Sequence, residues 1–223
     1  MELTENTLAV LKNFASINSN IVIDEGNTVK TVSESKTVLA RAELDMTIPK
    51  TFGIYELNEF LSVLGLVDSP RLDFSDDYAT ISDSSGRTKI KYFYSEPDIL
   101  TKPTKDIVMP STEVTFTLDR STMSQIRRAA AALGHTHFSV TNDDGVINLS
   151  VVDNDDDTSH AFTIAVDGES SLPDFKAVIS INDLKMIDGD YRVSLSSKLI
   201  SHFVNTESNV EYWVALSAKQ STF

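Results

Sequence analysis

The feature that most constrains the fold is a pattern that occurs four times along the chain. In each copy an apolar entry leads into a helix, and three strand-like runs follow the helix. The entries lie at Leu3, Ile54, Leu118 and Ile181, and the letters IYEL of the second copy resemble INDL of the fourth. Because internal repeats of this size are typical of symmetric assemblies, we predict an α+β chain of two similar domains, each made of two βαβββ units.

The most clearly delimited helix is predicted at residues 118–134. Asp119 is a suitable N-cap, because its carboxylate can accept the free N–H groups of the first turn, and Gly134 is a suitable stop. Met123 and Ile126 belong to an apolar stripe that would face the core. Further helices are predicted at 3–16, 56–65 and 182–187.

Between the helices, the runs of apolar residues predict strands. Two turns are hairpin signals in this pattern, Glu25-Gly26-Asn27 and Asp143-Asp144-Gly145. The predicted strands are 20–24, 28–32, 37–44, 48–54, 71–75, 78–82, 88–94, 113–118, 135–142, 146–153, 159–166, 176–181, 191–196, 199–205 and 210–216.

The periodicity stops in the middle of the chain, in the segment SEPDILTKPTKDIVMPST. This segment holds three of the six prolines, which remove ladder donors and restrict the residue before them. We therefore predict a first domain at 1–95, an extended connector at 96–112 and a second domain at 113–223.

The 118–134 helix carries three arginines although the chain as a whole is acidic. Lysine and arginine total 19 against 33 aspartates and glutamates, for a net charge of −14. Such a balance excludes a protein whose whole surface coats nucleic acid, but it leaves open one that gathers its cations on one face. Arg120, Arg127 and Arg128 lie on an arc away from the apolar stripe, so they are either an ordinary solvated face or a surface that meets phosphates.

Nothing in the sequence predicts a catalytic centre, a cofactor or a metal site. There are no cysteines, and neither a glycine-rich phosphate loop nor a nucleophile elbow occurs. The acidic run at 153–157 lacks the glycine and the terminal glutamate of an EF-hand, so we interpret it as a hairpin tip. His135 and His137 would share a strand face, but even with His160 they are interpreted as ordinary surface histidines.

Four runs of the sequence resemble a known family. They are TENTLAVLKNFASINS, FGIYELNEFLSVLGLV, INDLKMIDGDYRVSL and NVEYWVAL. Together with the order of the elements, they resemble the DNA polymerase sliding clamp over essentially the whole chain, and most closely the clamp of contractile-tailed phages. The resemblance implies a closed homotrimeric ring, with helices around the hole, sheets outside and duplex DNA passing through.

This resemblance gives functional roles to three sets of residues. Cations on the inner helices would meet phosphates without reading bases, although Glu2 and Glu5 lower the charge of the first helix. The predicted DNA-facing residues are Lys12, Arg120, Arg127, Arg128 and Lys185. The groove for partner peptides is predicted at Leu100, Ile107, Met109 and Trp213. The subunit interface is predicted between the edge strands 88–94 and 159–166, through Thr88, Ile90, Tyr92, Tyr94, Phe162 and Ile164.

The implied function is to hold a replicative DNA polymerase on duplex DNA without catalysis by the clamp itself. The expected partners are double-stranded DNA of any sequence, the polymerase, further copies of the chain and an ATP-driven loader, since the chain has no nucleotide site. With no signal peptide and no membrane-spanning run, we expect the cytoplasm of the infected host. The alternative is a ring-forming virion protein of the tail-tube or decoration type.

Overall fold

The computed structural model describes residues 1–104, 106–153, 156 and 158–223. The chain forms two compact units, Met1–Lys105 and Asp106–Phe223. The division lies inside the segment that the sequence predicts as the connector, and the predicted domain limits stay a prediction.

Unit 1 combines two helices with short antiparallel sheets. Strands β5, β6 and β7 form one sheet in that order, β2 pairs with β3, and β1 pairs with β4. Phe14 and Phe60 of the two helices are fully buried between these layers. The elements are α1 (Glu5–Ile17), β1 (Ile21–Ile23), β2 (Gly26–Val32), β3 (Val38–Ile48), β4 (Phe52–Ile54), α2 (Leu57–Leu64), β5 (Arg71–Phe74), β6 (Tyr78–Ser82), β7 (Lys89–Phe93) and a 3-10 helix at Pro97–Ile99.

Unit 2 has one long helix and two antiparallel sheets. One sheet has the order β12-β8-β14-β15-β16, and the other has the order β11-β10-β9-β13. The elements are β8 (Val114–Leu118), α3 (Arg120–Leu133), β9 (His137–Asp143), β10 (Val146–Val151), β11 (Phe162–Val166), β12 (Gly168–Ser170), β13 (Lys176–Ser180), a 3-10 helix at Ile181–Asp183, β14 (Tyr191–Ser196), β15 (Ile200–Asn205) and β16 (Val210–Ala215).

The two units repeat one pairing scheme, which confirms the prediction of two similar α+β domains. In unit 1, β1 after the first helix pairs with β4, and in unit 2 β9 after α3 pairs with β13. Likewise β8 pairs with β14, while in unit 1 Glu2 forms an isolated bridge with Arg71 at the start of β5.

Local signals fixed the limits of the long helices. Thr4 caps α1 by accepting the Thr7 amide at 3.0 Å, and Asp119 caps α3 by accepting the Thr122 amide at 2.7 Å. Gly134 ends α3 in the left-handed conformation at φ 74°. The Asp-Gly hairpin is also confirmed, because Asp144 and Gly145 both have positive φ and join the paired strands β9 and β10.

The predicted fourth helix at 182–187 is wrong. The structure has a 3-10 helix of three residues there, Ile181–Asp183. Leu184 and Met186 are both buried although they are two positions apart, and an α-helix would turn them to different sides. So short a segment also cannot offset the cost of helix nucleation. The described part of the chain therefore has three α-helices rather than four, and none of them is long and apolar enough to cross a membrane.

Two further predictions about strands are wrong because pairing is decided by distant residues. The turn at Glu25-Gly26-Asn27 does not close a hairpin, since β1 pairs with β4 and the Glu25 amide donates to the Thr51 hydroxyl at 3.0 Å. The strand predicted at 48–54 is divided, with Ile48 at the end of β3 and β4 beginning only at Phe52. Strand β12 covers only three residues, so its sequence shows no alternating apolar pattern that would predict a strand.

Replacing the N-cap of α3 tests whether the Asp119 side chain stabilises the start of this helix. The Thr122 amide holds the pKa of Asp119 below its ordinary value, so the charged carboxylate is the capping form. We expect Asp119→Ala to lower the free energy of unfolding by about 1 kcal/mol, measured by urea denaturation. Asp119→Asn keeps an acceptor and should stay close to wild type. Equal stability of the alanine variant and wild type would contradict this role.

Candidate nucleic-acid interface

Beyond its first residue, Arg120, the exposed face of α3 consists of small side chains and one arginine, Arg128. Ser121, Ser124, Arg128 and Ala131 are exposed, whereas residues such as Ile126 on the other side are buried. Arg128 donates to the Ser124 carbonyl at 3.4 Å and otherwise extends into solvent. The face is therefore smooth, and its long cationic side chain is free to meet a ligand.

Helix α1 has a similar layout. Its exposed residues include Glu5, Ala9, Lys12 and Ser16. One cation and one carboxylate leave this face nearly neutral, in agreement with the expectation that the first helix contributes little charge. Lys12 keeps the exposed position that the predicted role requires.

Arg120 lies apart from Arg128, at the N-terminus of α3 among carboxylates. Its guanidinium is 3.4 Å from the Asp188 carboxylate and 3.1 Å from the Glu207 carboxylate. Its backbone amide donates to Asp190 at 2.7 Å. These neighbours compensate the charge of Arg120, so Arg120 and Arg128 do not share the same electrostatic surroundings.

Arg127 also differs from its predicted setting. It is half-buried, and its Nη2 donates to the Leu184 carbonyl at 2.6 Å. Lys185, which follows Leu184 in the chain, is exposed, but it lies on irregular backbone rather than on a helix. Sequence spacing alone placed Arg127 beside Arg128 and did not reveal this contact with a residue far along the chain.

The two strands predicted to join subunits are both edge strands. β7 ends the β5-β6-β7 sheet, and β11 ends the sheet that it shares with β10. Ile90 and Tyr92 of β7 and Phe162 and Ile164 of β11 are half-exposed. The Tyr92 ring lies 5.0 Å from Phe60 of α2, so the apolar side of β7 faces the helix layer.

Thr88 and Tyr94, the other predicted interface residues, lie just outside β7. Thr88 is exposed, whereas Tyr94 packs its ring 5.1 Å from Phe52 within unit 1. The Tyr94 hydroxyl is buried without a hydrogen-bond partner in the described part of the chain, and burial raises the pKa of Tyr94 to about 12. Tyr94 is thus half-buried, with its ring packed within its own unit.

The predicted peptide groove is only partly open. Leu100 and Trp213 are each only 7% exposed, and Trp213 stacks on His202 with the ring centres 4.5 Å apart. Ile107 and Met109 are half-exposed, and Val108 between them is 81% exposed. The accessible apolar surface of the connector is therefore at Ile99, which is 71% exposed, and at 107–109.

A close backbone approach explains why Leu100 is buried. The Ser95 amide donates to the Gly53 carbonyl at 2.9 Å, and Leu100 lies against Gly53. A Cβ added at Gly53 would lie 2.4 Å from the Ser95 carbonyl oxygen and 2.7 Å from a Leu100 methyl carbon. Only glycine permits this packing, which takes Leu100 out of any open groove.

A carboxylate that the sequence did not single out holds the start of the second domain. Glu113 accepts the Ser197 amide at 3.0 Å, the Ser197 hydroxyl at 2.9 Å and the Ser111 hydroxyl at 3.0 Å. Partial burial acts to raise the pKa of Glu113, but these donors outweigh it and hold the pKa below its ordinary value. Ser111 lies close to Glu113 in the sequence, whereas Ser197 is 84 residues away, and that distance concealed the contact.

The histidines and the acidic run do not assemble a metal site in the residues that the structure describes. β9 begins at His137, so His135 is not on the strand as predicted, and its Nε2 lies 3.0 Å from the His160 carbonyl oxygen. In the acidic run, Asp155 and Asp157 lie outside the described residues. Asp156 accepts the Thr158 hydroxyl at 2.7 Å and the Thr158 amide at 2.9 Å, which lowers its pKa.

Comparisons with known proteins cover nearly the whole chain. Residues 4–109 match the family model "DNA polymerase processivity factor", and residues 115–218 match "gp45 sliding clamp, C terminal". The sliding clamp of Vibrio phage KVP40 is 32% identical over 98% of this chain and all of the relative. The sliding clamp of Escherichia phage RB69 is 28% identical over 98% of this chain and 97% of the relative.

A solved structure supports the same fold. The crystal structure of PCNA from Thermococcus kodakaraensis has a TM-score of 0.69 to this chain at 13% identity. The likeness covers 95% of this chain and 96% of that chain. At such low identity it shows the fold, and the predicted fold class is confirmed.

The Glu113 contacts predict acid sensitivity at the start of the second domain. Because its folded pKa is depressed, the stabilisation is present above the unfolded pKa of about 4.3 and is lost as pH falls through the folded pKa. We expect Glu113→Gln to lower the free energy of unfolding by about 1 kcal/mol at pH 7. In urea titrations this difference from wild type should shrink toward pH 3, and a difference independent of pH would contradict the assignment.

Proposed function

The chain belongs to the sliding-clamp family of DNA polymerase processivity factors, and on that premise we propose that three copies close into a ring around duplex DNA. The observation that carries this proposal is the family match along both units, combined with an uncovered edge strand in each unit. As a processivity factor the ring holds a DNA polymerase on its template. The virion-protein alternative has no support from the comparisons.

The DNA path in this proposal is lined by the exposed faces of the helices. Lys12, Arg128 and Lys185 are exposed cations there, and the small side chains around Arg128 leave room for a duplex. Separate cations that meet phosphates give weak contacts blind to base sequence, which permits sliding. Arg120 is a poorer candidate because its carboxylate neighbours already compensate its charge.

The subunit seam in this proposal joins β7 of one chain to β11 of the next. Antiparallel pairing would satisfy the free backbone groups of both edges and continue the apolar layer from Ile90 and Tyr92 to Phe162 and Ile164. The charges are complementary as well, since β7 carries exposed lysines and Asp167 follows β11. An antiparallel pairing brings the start of β7, with Lys89, near the end of β11, with Asp167.

The surface that binds the polymerase is proposed from three residues of the connector. The half-exposed Ile107 and Met109 flank exposed Val108, which suits the few apolar anchors of a polymerase peptide. We propose that an ATP-driven loader opens the ring, that the chain has no turnover of its own, and that it works in the cytoplasm of the infected host.

Topology gives the decisive test of the ring. We expect the loaded protein to remain on closed circular duplex and to be lost within one passage over a gel-filtration column once the circle is cut. Arg128→Glu should shorten the product made per polymerase binding event, most at low salt, because it places a carboxylate in the DNA path. Arg192→Glu is the matched control, since Arg192 is exposed on β14 between buried neighbours. Equal retention on cut and closed circles would refute encirclement.

Charge exchange tests the seam. Sedimentation equilibrium should give three times the chain mass of 24.6 kDa for wild type. Lys89→Glu should weaken assembly by about tenfold at low salt, because it opposes Asp167 across the seam. Adding Asp167→Lys should restore it, whereas Lys219→Glu, the same charge change outside both edges, should leave assembly unchanged. A trimer indifferent to all three changes would require another seam.

A further inference from the structure

The segment after the second 3-10 helix is irregular backbone that must find partners for its polar groups. Residues 184–190 are neither helix nor strand. The Leu184 carbonyl accepts Arg127 at 2.6 Å, the Ile187 amide donates to the Tyr212 hydroxyl at 3.1 Å, and the Tyr191 hydroxyl donates to the Ile187 carbonyl. Because buried backbone groups without partners are costly, these side chains replace the ladder that a helix would supply.

The hydrogen bond from Arg127 to the Leu184 carbonyl lies next to Lys185, a residue of this segment that faces solvent. Leu184 and Met186 are buried on either side of Lys185, which is exposed. With the Leu184 carbonyl held and both neighbours anchored, the Lys185 backbone has little freedom to turn its side chain elsewhere. The backbone next to Lys185 is therefore tied to a contact made by α3.

Comparison of the two units explains why an arginine stands at this place. Lys12 of α1 and Arg127 of α3 occupy the same position counted from their N-caps, Thr4 and Asp119. In unit 1 the segment that corresponds to 181–187 is α2, whose own hydrogen bonds satisfy its backbone, and Lys12 is exposed. In unit 2 that helix is missing, and Arg127 turns inward to bind the irregular segment instead.

We propose that Arg127 is a positioning residue, which holds residues 184–187 so that Lys185 faces the DNA, and that it does not itself contact DNA. The inference rests on the proposed function, because it assumes that Lys185 lines the DNA path. A guanidinium suits the task, since its terminal nitrogen lies one bond further from the backbone than a lysine Nζ and its planar group directs donors at a carbonyl. Arg127 and the adjacent Arg128 thus have different roles.

The first test follows the backbone and needs no DNA. Amide hydrogen exchange of residues 184–188 should quicken several-fold in Arg127→Met and stay at the wild-type rate in Arg128→Met. Arg127→Lys, a second and milder variant, keeps the charge but should also quicken exchange, because its ammonium reaches less far. Exchange unchanged in both Arg127 variants would overturn the proposal.

The second test is a double-mutant cycle on the salt dependence of binding to a short open-ended duplex, measured by fluorescence anisotropy. Lys185→Gln should lower the log–log salt slope by about one for each subunit in contact with DNA. Arg127→Met should lower it equally, and the double variant should lower it no further. As the matched control, Arg128→Met and Lys185→Gln should add.

The outcomes separate this inference from the ring proposal. Three outcomes would each overturn the positioning role of Arg127. The first is that the effects of Arg127→Met and Lys185→Gln on the salt slope add. The others are an unchanged salt slope in either single variant and a wild-type salt slope in Arg127→Lys. Failure of the wild-type protein to stay on closed circles would instead refute encirclement, while the exchange experiment would still report on the tie between Arg127 and Leu184.

Discussion

Unpaired backbone groups along β7 and β11 are the constraint on which the rest of the arrangement depends. An antiparallel sheet that stops at an uncovered strand exposes donors, acceptors and half of its apolar layer. Each unit has such an edge, β7 in unit 1 and β11 in unit 2, and apolar residues of both strands remain half-exposed. In the proposed ring these two edges pair head to tail between copies of the chain, and closure covers both of them.

The charge distribution agrees with a DNA contact that is limited to a few cations on the helices. Most of the acidic surface repels nucleic acid, and the cations on the helices differ in their surroundings. Arg120 is compensated by carboxylates, Arg127 is bound to a carbonyl, and Arg128 extends into solvent. Three arginines in one helix therefore have three different surroundings, which is why the proposed DNA contact falls to Arg128.

Local chemistry was predictable from the sequence, and distant partners were not. The N-caps of α1 and α3, the stop at Gly134 and the Asp-Gly hairpin each depend on a few neighbouring residues. The missing fourth helix, the pairing of β1 with β4 and the burial of Leu100 against Gly53 depend on contacts across the unit. For the same reason the family resemblance predicts the DNA-facing residues only as a set, while the different surroundings of Arg120 and Arg127 required the structure.

The irregular segment at 184–187 has a consequence for how this sequence can change over time. In a helix each backbone bond has similar neighbours, so a single replacement is absorbed locally. Here the Leu184 carbonyl depends on Arg127, the Ile187 amide on Tyr212 and the Ile187 carbonyl on Tyr191, each a single side chain outside the segment. Substitutions at these three positions therefore act on one short stretch of backbone, so their effects on that stretch should be coupled rather than independent.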